Sequence, residues 1–277
     1  MKRAYYIIAV VLAAMAFCVI WYAYRWQDVL RPATYIKPYE VAEPADTLRV
    51  LLIGDSWAEL HHRDGFDTVL HRMLEKELNE PLKVTAKGRG GATSKAIYRL
   101  MFQQTAGVDS AYCTEPLLRA GADYCVVIAG INDAARNLGP DNYCRNYELI
   151  LRTLLDWHMK PVVIEVPDVD IYHLYSEKPF KDGLVDKVQA WLNNTKLYDV
   201  TDYRKQLKAR LEQTGMMDSV VYVDRSQWNK DGFRDRRYLY LYDRIHLNVN
   251  GYQVLDSCIA ACIACDRKRY LEAKTLE

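Results

Sequence analysis

The chain has 277 residues, with 37 Lys and Arg against 36 Asp and Glu and a formal net charge of +1. That balance leaves no electrostatic footprint for nucleic acid, and the length allows one large domain with a generous core or two small ones. Half the residues are hydrophobic, which is globular composition with a membrane segment added, and 21 tyrosines against 5 phenylalanines suit a wet aromatic groove as well as a core.

Residues 4–24 carry no charge. As a helix they would rise about 30 Å, the hydrocarbon thickness of a bilayer. Tyr5 and Tyr6 stand at one end and Trp21, Tyr22 and Tyr24 at the other, as interfacial aromatics do. Residues 1–25 are therefore read as a transmembrane signal anchor that holds the rest of the chain outside the cytoplasm, periplasmic or extracellular. Cleavage after Ala14-Met15-Ala16 would leave a hydrophobic new terminus, and Phe17 fits poorly before a lipid-modified Cys18. The flanking charges, Lys2 and Arg3 against Arg25, Arg31 and Lys37, do not decide the orientation.

Residues 26–47 hold Pro32, Pro38 and Pro44 among Glu40, Glu43 and Asp46, with no sustained apolar period, and read as a linker. A single domain is expected over 48–277. Its apolar runs predict strands at 49–53, 82–86, 124–129, 161–166 and 220–223. Amphipathic stretches between them predict helices at 65–78, 94–104, 141–158, 182–193, 201–213 and 250–267. Regular alternation implies right-handed βαβ crossovers and an α/β fold: a three-layer α/β/α sandwich, doubly wound in the flavodoxin manner around about five parallel strands. The stretch between Val166 and Val220 exceeds a single crossover helix and is expected to carry an insertion over the strand ends.

The run Val50-Leu51-Leu52-Ile53-Gly54-Asp55-Ser56-Trp57 suits a strand buried on both faces that stops at a glycine and delivers Ser56 to its carboxyl end. In open α/β sheets that edge binds ligands. A serine nucleophile needs a base, and Asp243-Arg244-Ile245-His246 supplies one: a compact turn can set the carboxylate on one imidazole nitrogen and leave the other for Ser56. An oxyanion also needs donors beyond the Ser56 amide. Gly88-Arg89-Gly90-Gly91-Ala92-Thr93-Ser94 offers the Gly91 amide, and Gly130-Ile131-Asn132-Asp133 offers the Asn132 side chain, both after candidate strands.

With these four blocks in order over roughly Leu48 to Asp266, the chain resembles the SGNH (GDSL-type) hydrolases, a family of serine esterases and related acyl-transfer enzymes. The resemblance implies Ser56 as nucleophile, His246 with Asp243 as base and orienter, Ser56, Gly91 and Asn132 as oxyanion donors, and no metal or cofactor. Two departures stand out. Trp57 follows the serine where smaller aliphatic residues are usual, which would narrow the acyl pocket, and Gly88 and Arg89 replace a frequent asparagine, which leaves the donor open between Gly90 and Gly91.

Other features have plainer readings. His61 and His62 lack carboxylates or cysteines at ligand spacing beyond Glu59 and Asp64, and read as surface or pocket-rim residues. Cys258, Cys262 and Cys265 read as buried small hydrophobes on one helical face, leaving Cys113, Cys125 and Cys144 as positions where a bridge could form. Trp228, Phe233, Tyr238 and Tyr240, with Arg234, Arg236 and Arg237, could line a groove for sugar rings and acidic groups or form a solvated flap, and spacing favours neither. The expected activity is removal of a small acyl group, most plausibly acetyl, from an envelope or extracellular carbohydrate or another small ester. Trp57, Trp228 and Tyr238 are the candidate substrate contacts. Acyl transfer to a polysaccharide, lipid deacylation by a lipase or thioesterase, and a catalytically silent scaffold are the alternatives.

Overall fold

The computed structural model describes residues 2–43, 46–103, 110–175, 178–230 and 237–275. They form two compact units, Met1–Pro32 and Ala33–Glu277. The first is helix α1 (Lys2–Leu30), in which Arg3–Tyr22 is long and apolar enough to cross a membrane. The helix runs past residue 25, where the anchor was expected to end.

In the second unit five strands, β1 (Leu48–Gly54), β2 (Leu82–Gly88), β3 (Tyr124–Ile128), β4 (Lys160–Ile164) and β5 (Val221–Val223), build one parallel sheet in the order β2-β1-β3-β4-β5. All five expected strands are present with ends moved by one or two residues. Val50, Leu52 and Ile53 of β1 are fully buried, as are Cys125, Val126 and Val127 of β3, which is why neither strand alternates.

The helices of this unit are α2 (Ser56–Arg63), α3 (Phe66–Leu78), α4 (Ser94–Leu100), α5 (Glu115–Arg119), α6 (Ile131–Ala135), α7 (Pro140–Asp156), α8 (Ile171–Tyr175), α9 (Phe180–Leu192), α10 (Thr201–Gln213) and α11 (Val249–Thr275). Helix α3 packs with α11, while α4 and α10 each pack with α7, giving the two helical layers of a doubly wound sheet. The expected insertion is α8 and α9, between β4 and the crossover helix α10. Strand β1 lies between β2 and β3, so the strand order reverses at its carboxyl end, where a crevice for ligands opens.

Three departures from the sequence expectation are the largest. Helix α2 starts directly at Ser56; it is too short to show a period, and the half-buried Glu59 and Leu60 separate its buried Trp57 and Ala58 from the buried His61. Residues 33–42 are no free linker. The Ala33 amide donates to Asn146 Oδ1 (2.7 Å), the Ile36 amide to Tyr98 Oη (2.8 Å), the Trp157 indole to the Tyr39 carbonyl (2.7 Å) and the Ala42 amide to the Arg119 carbonyl (2.9 Å). Tyr39 packs on Trp157 with ring centroids 4.5 Å apart and lies under the Arg119 guanidinium. Such an extended strap docks through single residues, so it leaves no periodic signal. The α11 cysteines are also displaced from the core: Leu255, Ile259 and Ile263 form the buried stripe, whereas Cys258 and Cys262 are half-buried and Cys265 is exposed. Cys113, Cys125 and Cys144 are all buried, Cys125 and Cys144 as free thiols.

Candidate active site

The site begins where β1 ends. A Cβ on Gly54 would lie 2.3 Å from the Ile128 carbonyl oxygen, so only glycine lets β1 run this close to β3. The next residue, Asp55, caps α2 by accepting from the Trp57 amide at 3.0 Å. Ser56 is thereby the first residue of α2, half-buried, with its amide free of hydrogen bonds among the described residues.

His246 arrives from the loop before α11. Segment 240–247 is pinned by an antiparallel bridge between Tyr240 and Leu247, and the Arg244 amide closes a turn on the Leu241 carbonyl at 2.9 Å. Asp243 Oδ1 accepts from the amides of Ile245 and His246, both at 2.9 Å, and Oδ2 meets His246 Nδ1 at 2.5 Å. The other ring nitrogen, Nε2, lies 2.9 Å from Ser56 Oγ. Partial burial works against the Asp243 charge, but the hydrogen bonds from His246 and the two amides outweigh it and hold the carboxyl below its ordinary value.

Two more strand ends face this row. In the turn after β2, the Gly90 amide is taken by Glu59 Oε2 at 2.5 Å. Gly91, at φ +72°, has an amide without a hydrogen bond among the described residues, and its carbonyl accepts from Arg136 Nη2 at 2.9 Å. Of the two amides left open by the sequence, that of Gly90 is thus occupied by Glu59, and that of Gly91 is free among the described residues. After β3, Asn132 Nδ2 donates to Asp55 Oδ2 at 3.3 Å, which spends one of its two hydrogens and orients the other.

Beneath the site lie two buried carboxyls. Burial, aggravated by nearby Asp133, pushes Asp55 up to about 7 despite its bonds from Trp57 and Asn132. Asp133 is pushed up to about 6, again by burial, although it accepts from the Ser94 amide (2.9 Å) and hydroxyl (2.6 Å). Asp55 therefore joins β1, α2 and Asn132, while Asp133 joins α6 to the start of α4.

The proposed substrate contacts separate. Trp57 is buried; its indole donates to the Ile245 carbonyl at 3.1 Å, and its ring meets that of Trp228, also buried, at 6.1 Å. Trp57 and Asp55 line a small cavity with Ile128, Ile164 and Val166. Tyr238 is exposed, as is Tyr242 beside Asp243, whereas Tyr240 is buried. Phe233, Arg234 and Arg236 lie outside the described residues. His62 is exposed as expected, but His61 is wholly buried against Asp256, because a helix starting at Ser56 turns it inward. Among the described residues no three His, Cys, Asp or Glu side chains converge as metal ligands would.

No curated protein is similar in sequence. Similar solved structures include a GDSL-like lipase from Bacteroides thetaiotaomicron (20% identity, TM-score 0.51, covering 80% of this chain and 91% of that one). An alpha/beta hydrolase from the metagenome of Lake Arreo, Spain, is 15% identical at TM-score 0.53 over 82% and 97% of the two chains. An acetylxylan esterase from Geobacillus stearothermophilus is 14% identical at TM-score 0.52 over 78% and 94%. The family model of the GDSL-like lipases and acylhydrolases matches residues 52–254, from within β1 through the base loop into α11, so the chain belongs to that family and is an ester-acting hydrolase.

Proposed function

We propose that the chain is a serine esterase that removes a small acyl group, acetyl above all, from a carbohydrate outside the cytoplasm. The observation that carries this reading is the continuous row Asp243 Oδ2, His246 Nδ1, His246 Nε2, Ser56 Oγ, with steps of 2.5 and 2.9 Å, beside unused donors at Ser56, Gly91 and Asn132. His246 takes the proton from Ser56 as Oγ attacks the ester carbonyl. Asp243, held ionised, keeps the imidazole oriented and stabilises its cation. The oxyanion is received by the Ser56 and Gly91 amides and the second hydrogen of Asn132. His246 then protonates the leaving sugar oxygen, and a water deprotonated by the same nitrogen releases the acid and restores Ser56.

The small acyl group is supported by the small cavity that Trp57, the residue after Ser56, lines with Ile128, Ile164 and Val166. A sugar is supported by the exposed Tyr242 and Tyr238 on the base loop, flat faces on which a pyranose can rest, and the same fold serves acetylxylan in the Geobacillus enzyme. Placement outside the cytoplasm, on a membrane anchor, rests on the apolar α1.

The test is hydrolysis of p-nitrophenyl acetate, butyrate and octanoate by the full chain in detergent, with Ser56→Ala as control. Acetate is expected to be preferred and Ser56→Ala to abolish turnover. A preference for octanoate would contradict the short acyl pocket, and turnover surviving Ser56→Ala would contradict the mechanism.

A further inference from the structure

One polar contact between α2 and α11 has no part in the proposed reaction. His61 Nε2 and Asp256 Oδ1 lie 2.9 Å apart, and both side chains are wholly buried. His61 shares its short helix with Ser56, and Asp256 sits on the helix that continues directly from the His246 loop.

Other ties cross the same junction. Tyr252 Oη donates to the Trp57 carbonyl at 3.0 Å, and the Trp57 indole donates to the Ile245 carbonyl at 3.1 Å. The Tyr252 ring stacks on Phe66 with centroids 4.4 Å apart and meets the edge of His61 at 5.7 Å. Inside this aromatic box the pair is poorly compensated, since His61 Nδ1 and Asp256 Oδ2 find no partner among the described residues. Burial pushes the Asp256 carboxyl up and the bond from His61 pulls it back.

A buried pair with orphaned atoms is a weak source of stability, because two apolar side chains of similar volume would hold the junction with less desolvation. What apolar packing lacks is direction. A hydrogen bond is sensitive to angle as well as distance, so this one fixes the rotation of α2 about its own axis. That rotation sets where Ser56 Oγ points relative to His246 Nε2.

We infer that His61 and Asp256 are positioning residues, a directional tie between the nucleophile helix and the base helix that sets the distance between Ser56 and His246. The inference rests on the esterase reading above. Its test is kcat and KM for p-nitrophenyl acetate, with melting temperature, in the full-length chain.

His61→Leu is expected to lower kcat about tenfold or more with KM little changed, as misplacing a reacting group by a fraction of an ångström does. His61→Gln, whose amide nitrogen can take the place of Nε2, should restore most of that loss. The double replacement of His61 and Asp256 by Leu should regain the melting temperature but not kcat. If kcat returns with stability in the double variant, or His61→Leu turns over like wild type, the pair only fills space and the inference fails. Should the single variants not fold, the double variant decides. A wild type without Ser56-dependent turnover overturns the esterase reading itself, which none of the pair variants can mimic.

Discussion

Two His–Asp pairs stand where α2 meets α11 and the loop before it, and their surroundings give them opposite characters. The His246 and Asp243 side chains are each 30% exposed, and every carboxylate oxygen and ring nitrogen between them has a partner, the last being Ser56. His61 and Asp256 are 0% exposed, and each keeps one atom without a partner. Hydrogen bonds hold Asp243 below its ordinary value against partial burial, while burial raises Asp256 against one hydrogen bond. In the proposed reaction and the inferred tie, identical side chains serve as a base with its orienter where solvent and amides support the charge, and as a rigid peg where neither does.

The comparison breaks most sharply at the Asp243–His246 pair. Asp243→Asn keeps the shape but presents a donor toward Nδ1, favouring the wrong tautomer, so kcat should fall about 10³- to 10⁴-fold with the melting temperature nearly unchanged. Steady-state kinetics beside thermal unfolding checks both halves. Next in size is the oxyanion side, where Asn132→Ala should cost about 10²- to 10³-fold in kcat with little change in KM. Full activity in that variant would leave the two amides as the whole oxyanion site.

The smallest effect is on stability against pH, and it separates the carboxyls by sign. Asp55 is pushed up to about 7 in the folded chain from an ordinary 3.8, so between those values the folded state holds the extra proton. Its contribution therefore weakens as pH rises from about 4 to 7. Asp243 is shifted the other way: its contribution is present above the ordinary value and is lost as pH falls through the folded one. Thermal unfolding of Asp55→Asn should accordingly fall less steeply than wild type between pH 4 and 7. Parallel curves would show that Asp55 ionises normally.

The sequence disclosed what its apolar runs and glycines could encode. Apolar residues, in unbroken runs at β1 and β3 and in alternation with polar ones at β2, marked the sheet positions, and Gly54, Gly91 and Gly130 marked the turns at three strand ends. Ser56, Asp243 and His246 were legible because each sits at the end of a strand or before a capped helix. What escaped depended on tertiary contact alone. Helix α2 is too short to show a period, so His61 read as a surface residue. Glu59, which occupies the Gly90 amide, reaches across to a distant turn, and the strap at 33–42 docks through isolated side chains. Trp57 was expected to narrow the acyl pocket, and its indole is fastened to the His246 loop at Ile245, a contact no local pattern announces.

The most direct test of the account is to trap the intermediate. The full-length chain is mixed with p-nitrophenyl acetate, quenched in acid within the first turnovers, digested and weighed by mass spectrometry. The expected result is one acetyl group on the peptide bearing Ser56, absent from Ser56→Ala. Hydrolysis that proceeds with acetyl on another residue, or on none while Ser56→Ala stays active, would contradict it.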